Sequence, residues 1–109
     1  MMKLPTEVFG DVMVVHTPEE LGGDRSENLE SFLTALDRPN VVIDLDGTET
    51  IDSAGLEAIL NAQEALRSMQ GDLKISTGNI VNRKILEITR IDQQLEVYET
   101  VLEAVRSFV

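Results

Sequence analysis

The fold is decided by residues 41–60, which read VVIDLDGTETIDSAGLEAIL. Residues 41–45 are almost continuously apolar, which is typical of a strand that is buried on both faces of a parallel sheet. The polar stretch 46–50 predicts a loop. Over residues 54–70 the apolar side chains recur on one face of a helix, and Gly71 is the glycine expected to cap its end. The segment is therefore predicted to form a strand, a loop and a helix.

The same two patterns alternate along the rest of the chain. Short β-branched runs predict further strands at 7–9, 12–15, 73–76 and 95–98. Helical spacing predicts three more helices, with their apolar stripes in the core, at about 26–38, 80–88 and 101–108. Strands that alternate with helices imply an α/β fold with a mixed, mainly parallel sheet and about four helices. The length, residues 1–109, fits a single domain.

The composition excludes several kinds of chemistry. The chain has 109 residues, of which 42% are hydrophobic and only 4% aromatic, so the core must consist mostly of aliphatic side chains. It has no cysteine, which rules out disulfides, cysteine metal sites and a thiol nucleophile. His16 is the only histidine, which makes a Ser–His pair or a histidine-rich metal site hard to assemble. We therefore expect neither a bound metal nor a cofactor.

The charge of the chain is strongly negative. Twenty Asp and Glu residues stand against nine Lys and Arg, for a net charge of −11. Such a chain repels phosphate backbones and anionic membranes. No apolar stretch approaches the length of a membrane span, and the first residues lack the apolar run of a signal peptide. The sequence thus predicts a cytoplasmic protein that neither binds nucleic acid nor inserts into a membrane.

The motif DLDGT, which begins at Asp44, resembles the opening signature of the haloacid dehalogenase-like phosphatases. In that family the first aspartate is the nucleophile, the second is an acid or base, and Mg²⁺ offsets their charge. Carried over, these roles fall on Asp44 and Asp46, with Ser76 or Thr77 and then Lys84 as later parts. The family's paired acidic residues are missing after Lys84, however. A small phosphatase is therefore the weaker alternative, and we expect no enzyme activity.

A second motif, IDSAGL at residues 51–56, opens the most regular helical pattern of the chain. Together with the apolar strand at 41–45, it resembles the STAS domain family, of the bacterial anti-sigma factor antagonist type. That family has an apolar strand, a short loop and an apolar residue, then Asp-Ser-Ser/Thr-Gly-Leu leading into a helix. The resemblance implies a regulator. In the family, the motif serine is phosphorylated by an anti-sigma factor that is also a serine kinase, and phosphorylation breaks their complex.

Carried onto this chain, the resemblance makes Ser53 the phosphorylation site. A serine at the expected N-cap of the helix is within reach of a kinase, and a helix N-terminus tolerates a phosphate. Gly55 would let the backbone of the partner approach, whereas Leu56 is expected to face the core. The surface that binds the anti-sigma factor is predicted to comprise Asp24, Asp46, Asp52, Ser53, Ala54 and Gly55.

Two positions depart from the family pattern. The chain has Ala54 where members often carry Ser or Thr, and Gly22 where the first loop often carries an aspartate, with Asp24 two residues later. Recognition by the partner is therefore expected to differ. Two alternatives to the switch stay open on the sequence. Ser53 is an ordinary N-cap without regulation, or the chain is a STAS accessory subunit of a phospholipid-transport ATPase.

Overall fold

The computed structural model describes residues 4–23 and 26–108, and Asp24 lies outside them. The strands are β1 (Thr6–Phe9), β2 (Val12–His16), β3 (Glu20–Leu21), β4 (Asn40–Asp44), β5 (Thr50–Ile51), β6 (Asp72–Ser76) and β7 (Val97–Tyr98). The helices are α1 (Ser26–Thr34), α2 (Ser53–Ser68), α3 (Ile80–Ile88) and α4 (Val101–Arg106), with a short 3-10 helix at Ile91–Gln93. None of the helices in the described ranges is long and apolar enough to cross a membrane.

Five strands form one sheet in the order β1-β2-β4-β6-β7. β1 runs antiparallel to β2, and the other neighbours are parallel, which confirms the predicted mixed, mainly parallel sheet. His16, Asp44 and Ser76 end three adjacent parallel strands in register. β3 and β5 pair as a separate two-stranded parallel sheet. The sequence did not predict this second sheet, because strands of two residues show no alternation.

The large sheet is covered on both faces. Val41 and Ile43 of β4 are fully buried in a cluster of apolar residues that includes the inner sides of α1 and α2. Val42, between them, is buried on the other face with Val14 of β2 and Ala104 of α4. This two-sided burial explains the almost continuous apolar run of β4, because successive strand residues point to opposite faces.

α3 buries only part of its apolar stripe. Leu86 is buried and Ile85 is half-buried, but Ile80, Val81 and Ile88 are exposed. The prediction that the apolar helix residues lie in the core is therefore wrong for these three. A helix on the outside of a domain buries only the side that faces inward, and these three side chains lie on its outer side.

The end of α2 differs from the predicted glycine cap. Gln70 has the left-handed conformation, with φ of 66°. Its N–H donates to the carbonyl of Arg67 at 3.0 Å, and the N–H of Gly71 donates to the carbonyl of Leu66 at 2.9 Å. This is the bonding of a Schellman motif, with Gln70 in the position that Gly71 was predicted to hold. Gly71 instead has no room for a side chain, because a Cβ would lie 2.5 Å from the carbonyl carbon of Pro39.

Candidate phosphorylation and partner-binding site

Ser53 is the first residue of α2, and it is exposed. The prediction that the second helix begins within two residues of Ser53 is confirmed. Only Asp52 separates β5 from Ser53, so the small second sheet leads the chain directly into the helix. A hydroxyl at this position is open to an enzyme that approaches from solvent.

Asp52, not Ser53, caps the N-terminus of α2. Asp52 has extended backbone angles, φ −100° and ψ 178°, and its Oδ1 accepts a hydrogen bond from the N–H of Gly55 at 2.9 Å. The predicted cap role of Ser53 is therefore wrong by one residue, because Ser53 already has the backbone conformation of the helix. Its hydroxyl is thus free of the capping role. The other carboxylate oxygen of Asp52, Oδ2, accepts from the N–H of Gly23 at 2.9 Å.

Two glycines allow the chain to pack closely around Asp52. A Cβ at Gly22 would collide with the carboxylate of Asp52. A Cβ at Gly55 would lie 2.5 Å from the carbonyl oxygen of Leu21, and Gly55 is buried. The interpretation that Gly55 makes space for the backbone of a partner is therefore corrected, since the space is filled by the chain's own β3. Leu56 is buried, as predicted.

An open groove of about 300 Å³ ends at Asp52, the residue before Ser53. It is lined by Glu20, Leu21, Gly22, Gly23, Thr50, Ile51 and Asp52. Sequence reasoning missed Glu20 and Thr50, because the small sheet that brings them together has no sequence pattern. The pair Gly22–Gly23 was the available signal, since double glycines indicate a turn in which backbones approach closely.

Asp46 belongs to a different part of the surface from Asp52. Its Oδ1 accepts from the N–H of Gly78 at 2.7 Å and from the hydroxyl of Thr77 at 3.3 Å. Asp46 thus turns toward the loop between β6 and α3, whereas Asp52 turns toward the loop after β3. Of the predicted surface, the structure brings together Asp52, Ser53 and Ala54, which is half-buried.

The carboxylates of the phosphatase-like motif have partners within the chain. Asp44 Oδ2 hydrogen-bonds with Nδ1 of His16 at 2.8 Å, and its Oδ1 accepts from the N–H of Asp46 at 3.0 Å. Ser76 is buried, so its hydroxyl has no access to a substrate. Across the described residues, no three Asp, Glu or His side chains are grouped so that they could hold a metal ion. The geometry does not favour the phosphatase alternative.

His16 joins two carboxylates on neighbouring strands. Its Nδ1 meets Asp44 at 2.8 Å, and its Nε2 meets Glu7 of β1 at 2.6 Å. Burial alone would lower the pKa of His16. The hydrogen bonds to Glu7 and Asp44, together with their negative charges, outweigh burial and raise the pKa above 6.5. Protonated His16 therefore ties the edge strand β1 to the centre of the sheet.

We expect the free energy of unfolding to fall as the pH rises from below 6.5 through the raised pKa of His16. A group with a raised pKa stabilises the fold fully only while it is protonated in both the folded and unfolded states. The loss should be below about 1 kcal/mol, because partly exposed ion pairs are screened by water. Urea unfolding at several pH values measures this loss of stability, and the loss should be absent in His16→Gln. A histidine titration by NMR that gives a pKa of 6.5 or lower would contradict the expectation.

The comparisons with known proteins identify the family. A family model of the STAS domain matches residues 3–104. The chain therefore belongs to the STAS domain family, as the motif around Ser53 predicted. No match was found among curated protein sequences.

Several solved structures share this fold. An anti-sigma factor antagonist from Mycobacterium paratuberculosis has a TM-score of 0.83 and 24% identity, over 96% of this chain and 92% of that chain. A STAS domain protein from Planctomyces limnophilus has a TM-score of 0.81 and 22% identity, over 100% and 99%. The phosphorylated form of the Bacillus cell fate determinant SpoIIAA has a TM-score of 0.72 and 15% identity, over 98% and 100%. These likenesses confirm the STAS fold of the chain.

Proposed function

We propose that the chain is a switch of the anti-sigma factor antagonist type. In its unmodified form it binds an anti-sigma factor that is also a serine kinase, and phosphorylation of Ser53 releases that partner. The observation that carries the proposal is the exposed Ser53 at the first position of α2, next to a capping Asp52. The switch would work in the cytoplasm, where ATP, the kinase and a sigma factor meet.

A phosphate on Ser53 would be compatible with the fold. The N-terminus of α2 carries unpaired N–H groups and the positive end of the helix dipole, both of which favour an anion. Asp52 uses one carboxylate oxygen for Gly55 and the other for Gly23. Ser53 itself supplies no capping hydrogen bond, so its modification leaves the cap in place.

The same phosphate would disrupt a docked partner. It adds a charge of about −1.5 to −2 at pH 7 next to Asp52, and Glu20 lines the adjoining groove. A partner surface fitted to a neutral hydroxyl would have to bury this charge without an opposite charge to pair with it, which is unfavourable. Phosphorylation should therefore dissociate the complex through charge, without unfolding the chain.

The neighbouring proteins support the proposal. The Mycobacterium paratuberculosis relative is described as an anti-sigma factor antagonist, and SpoIIAA has been solved in phosphorylated and unphosphorylated forms. Ala54 and Gly22 distinguish this chain from the family pattern. Because Gly22 lies against Asp52, an aspartate there could not fit this loop without displacing Asp52.

The kinase reaction itself tests the proposal. The purified chain is incubated with the anti-sigma serine kinase of the same organism and Mg–ATP, and phosphopeptides are located by mass spectrometry. We expect one phosphate, on Ser53, and none on Ser53→Ala. Ser68→Ala is the matched control, because Ser68 is exposed at the other end of the same helix. Modification of Ser53→Ala at the wild-type rate, or an unmodified wild type, would overturn the proposal.

A further inference from the structure

The outer side of α3 is apolar. Ile80, Val81 and Ile88 are 74%, 62% and 78% exposed. Ile80, Lys84 and Ile88 are spaced four residues apart and therefore lie along one stripe of the helix, with Val81 beside it. These four residues are called the α3 surface below. Single exposed apolar residues are common, but three on one nine-residue helix form a patch that indicates a binding surface.

The α3 surface contains a basic residue, although the protein as a whole is acidic. The chain carries a net charge of −11, yet residues 83–90 contain three basic residues and one acidic residue. Lys84 and Arg90 are exposed, as is the acidic Glu87. Arg83 lies 3.6 Å from Glu99. The apolar patch therefore carries one exposed cation, Lys84, among its apolar residues, and it best fits an apolar surface with an acidic residue that faces Lys84.

α3 is attached to the loop that leads to Ser53. The amide Nδ2 of Asn82 donates to the carbonyls of Leu45 at 3.1 Å and Thr48 at 2.9 Å. Asp46 of the same loop accepts from the N–H of Gly78, just before α3. A standard protein interface covers about 800 Å² per partner, roughly 30 Å across, and the molecule measures 30 × 29 × 23 Å. A partner of that size docked at Ser53 would also cover the first turn of α3.

Two other occupants fit the α3 surface less well. In a second copy, the groove between α1 and α2 offers acids for Lys84 but only one apolar residue, Ala65. A two-fold pairing of α3 with itself would place Lys84 near its own copy at the centre of the contact. An anionic lipid surface would attract Lys84 but repel a protein with a net charge of −11.

We propose that the α3 surface is a second docking contact for the same anti-sigma kinase that acts on Ser53. The kinase meets it with apolar side chains and with an Asp or Glu that pairs with Lys84. This inference rests on the proposed function. The contact holds the kinase beside Ser53 both before and during phosphorylation. It adds affinity that does not depend on the state of Ser53, so phosphorylation must overcome it to release the partner.

The test measures binding of α3 variants to the purified kinase. Val81→Gln combined with Ile88→Gln should raise the dissociation constant about 10- to 100-fold, as loss of a central apolar contact does. Lys84→Glu should weaken binding and make the affinity less sensitive to added salt. Leu102→Gln is the matched control, because Leu102 is exposed on α4. Melting temperatures are measured on the same samples, and they should change little because all four side chains are exposed.

The outcomes separate the two proposals. If the wild type binds the kinase and the α3 variants bind equally well, the docking contact is wrong and the switch stands. If the wild type neither binds the kinase nor is phosphorylated, both are wrong. Dimers of the wild type in sedimentation that disappear in the α3 variants would assign this surface to a second copy. Binding of the wild type to phosphatidylserine vesicles that is lost in Lys84→Glu would assign it to a membrane, and either result overturns the proposal.

Discussion

Ser53→Asp should bind the anti-sigma kinase more than tenfold more weakly than the wild type, and Ser53→Ala should lose tenfold at most. The alanine variant removes a neutral hydrogen bond, which is worth about 0.5–1.5 kcal/mol, or roughly tenfold in affinity at its upper end. The aspartate variant adds a charge next to Asp52 that the partner must desolvate without an opposite charge, and that costs more. Isothermal titration calorimetry with both variants measures the difference.

The control for this prediction is the stability of the variants. Ser53 lies in the first turn of α2, where a negative charge interacts favourably with the helix dipole. The melting temperature of Ser53→Asp should therefore stay close to that of the wild type. Equal binding by Ser53→Asp and the wild type would show that charge at this position does not operate the switch. Loss of binding that only follows unfolding would show that Ser53 has a structural role.

Gly71→Ala should be among the most destabilising single-methyl additions in the protein. The new Cβ would lie 2.5 Å from both the carbonyl carbon and the Cβ of Pro39, so the backbone itself has to move. Overpacking of this kind costs about 1–3 kcal/mol, which corresponds to roughly 5–15 °C in the melting temperature of a chain of this size. Thermal unfolding followed by circular dichroism measures it.

Two further variants serve as controls for Gly71→Ala. At Gly47 the nearest atom to a new Cβ is the carbonyl oxygen of Thr17 at 3.7 Å, so Gly47→Ala should be tolerated. Gln70 has the left-handed conformation, and Gln70→Gly should stabilise the protein because glycine adopts this conformation without strain. A harmless Gly71→Ala would show that Pro39 does not exclude a side chain at residue 71, and a destabilising Gln70→Gly would show that Gln70 is not strained by its left-handed conformation.

The order of strands and helices could be predicted because each long element has its own periodicity. β4 is continuously apolar since both of its faces are buried, and α2 shows a clear apolar stripe. The exact start of α2 could not be predicted, because Asp52 and Ser53 are both good capping residues. The choice between them depends on the N–H of Gly23, which donates to Asp52 only in the folded chain. No local sequence pattern predicts this contact.

The surface was harder to predict than the core. Ile80 and Ile88 look like core residues in the sequence, and their exposure depends on which side of α3 faces the sheet. Asp46 is close to Ser53 in sequence, but its hydrogen bonds to Gly78 and Thr77 turn it toward another loop. Contacts between loops far apart in the chain decide both cases, and no local pattern encodes them.

The double hydrogen bonding of Asp52 also determines what a kinase can recognise. Asp52 joins the start of α2 to Gly23, which is 29 residues away in the chain. The surroundings of Ser53 therefore exist only in the folded molecule, and a peptide with the sequence IDSAGL would lack half of them. A kinase that reads this arrangement would ignore nascent, unfolded or misfolded copies. The amount of phosphoserine in the cell would then report the number of correctly folded molecules, and not the total amount of chain that has been synthesised.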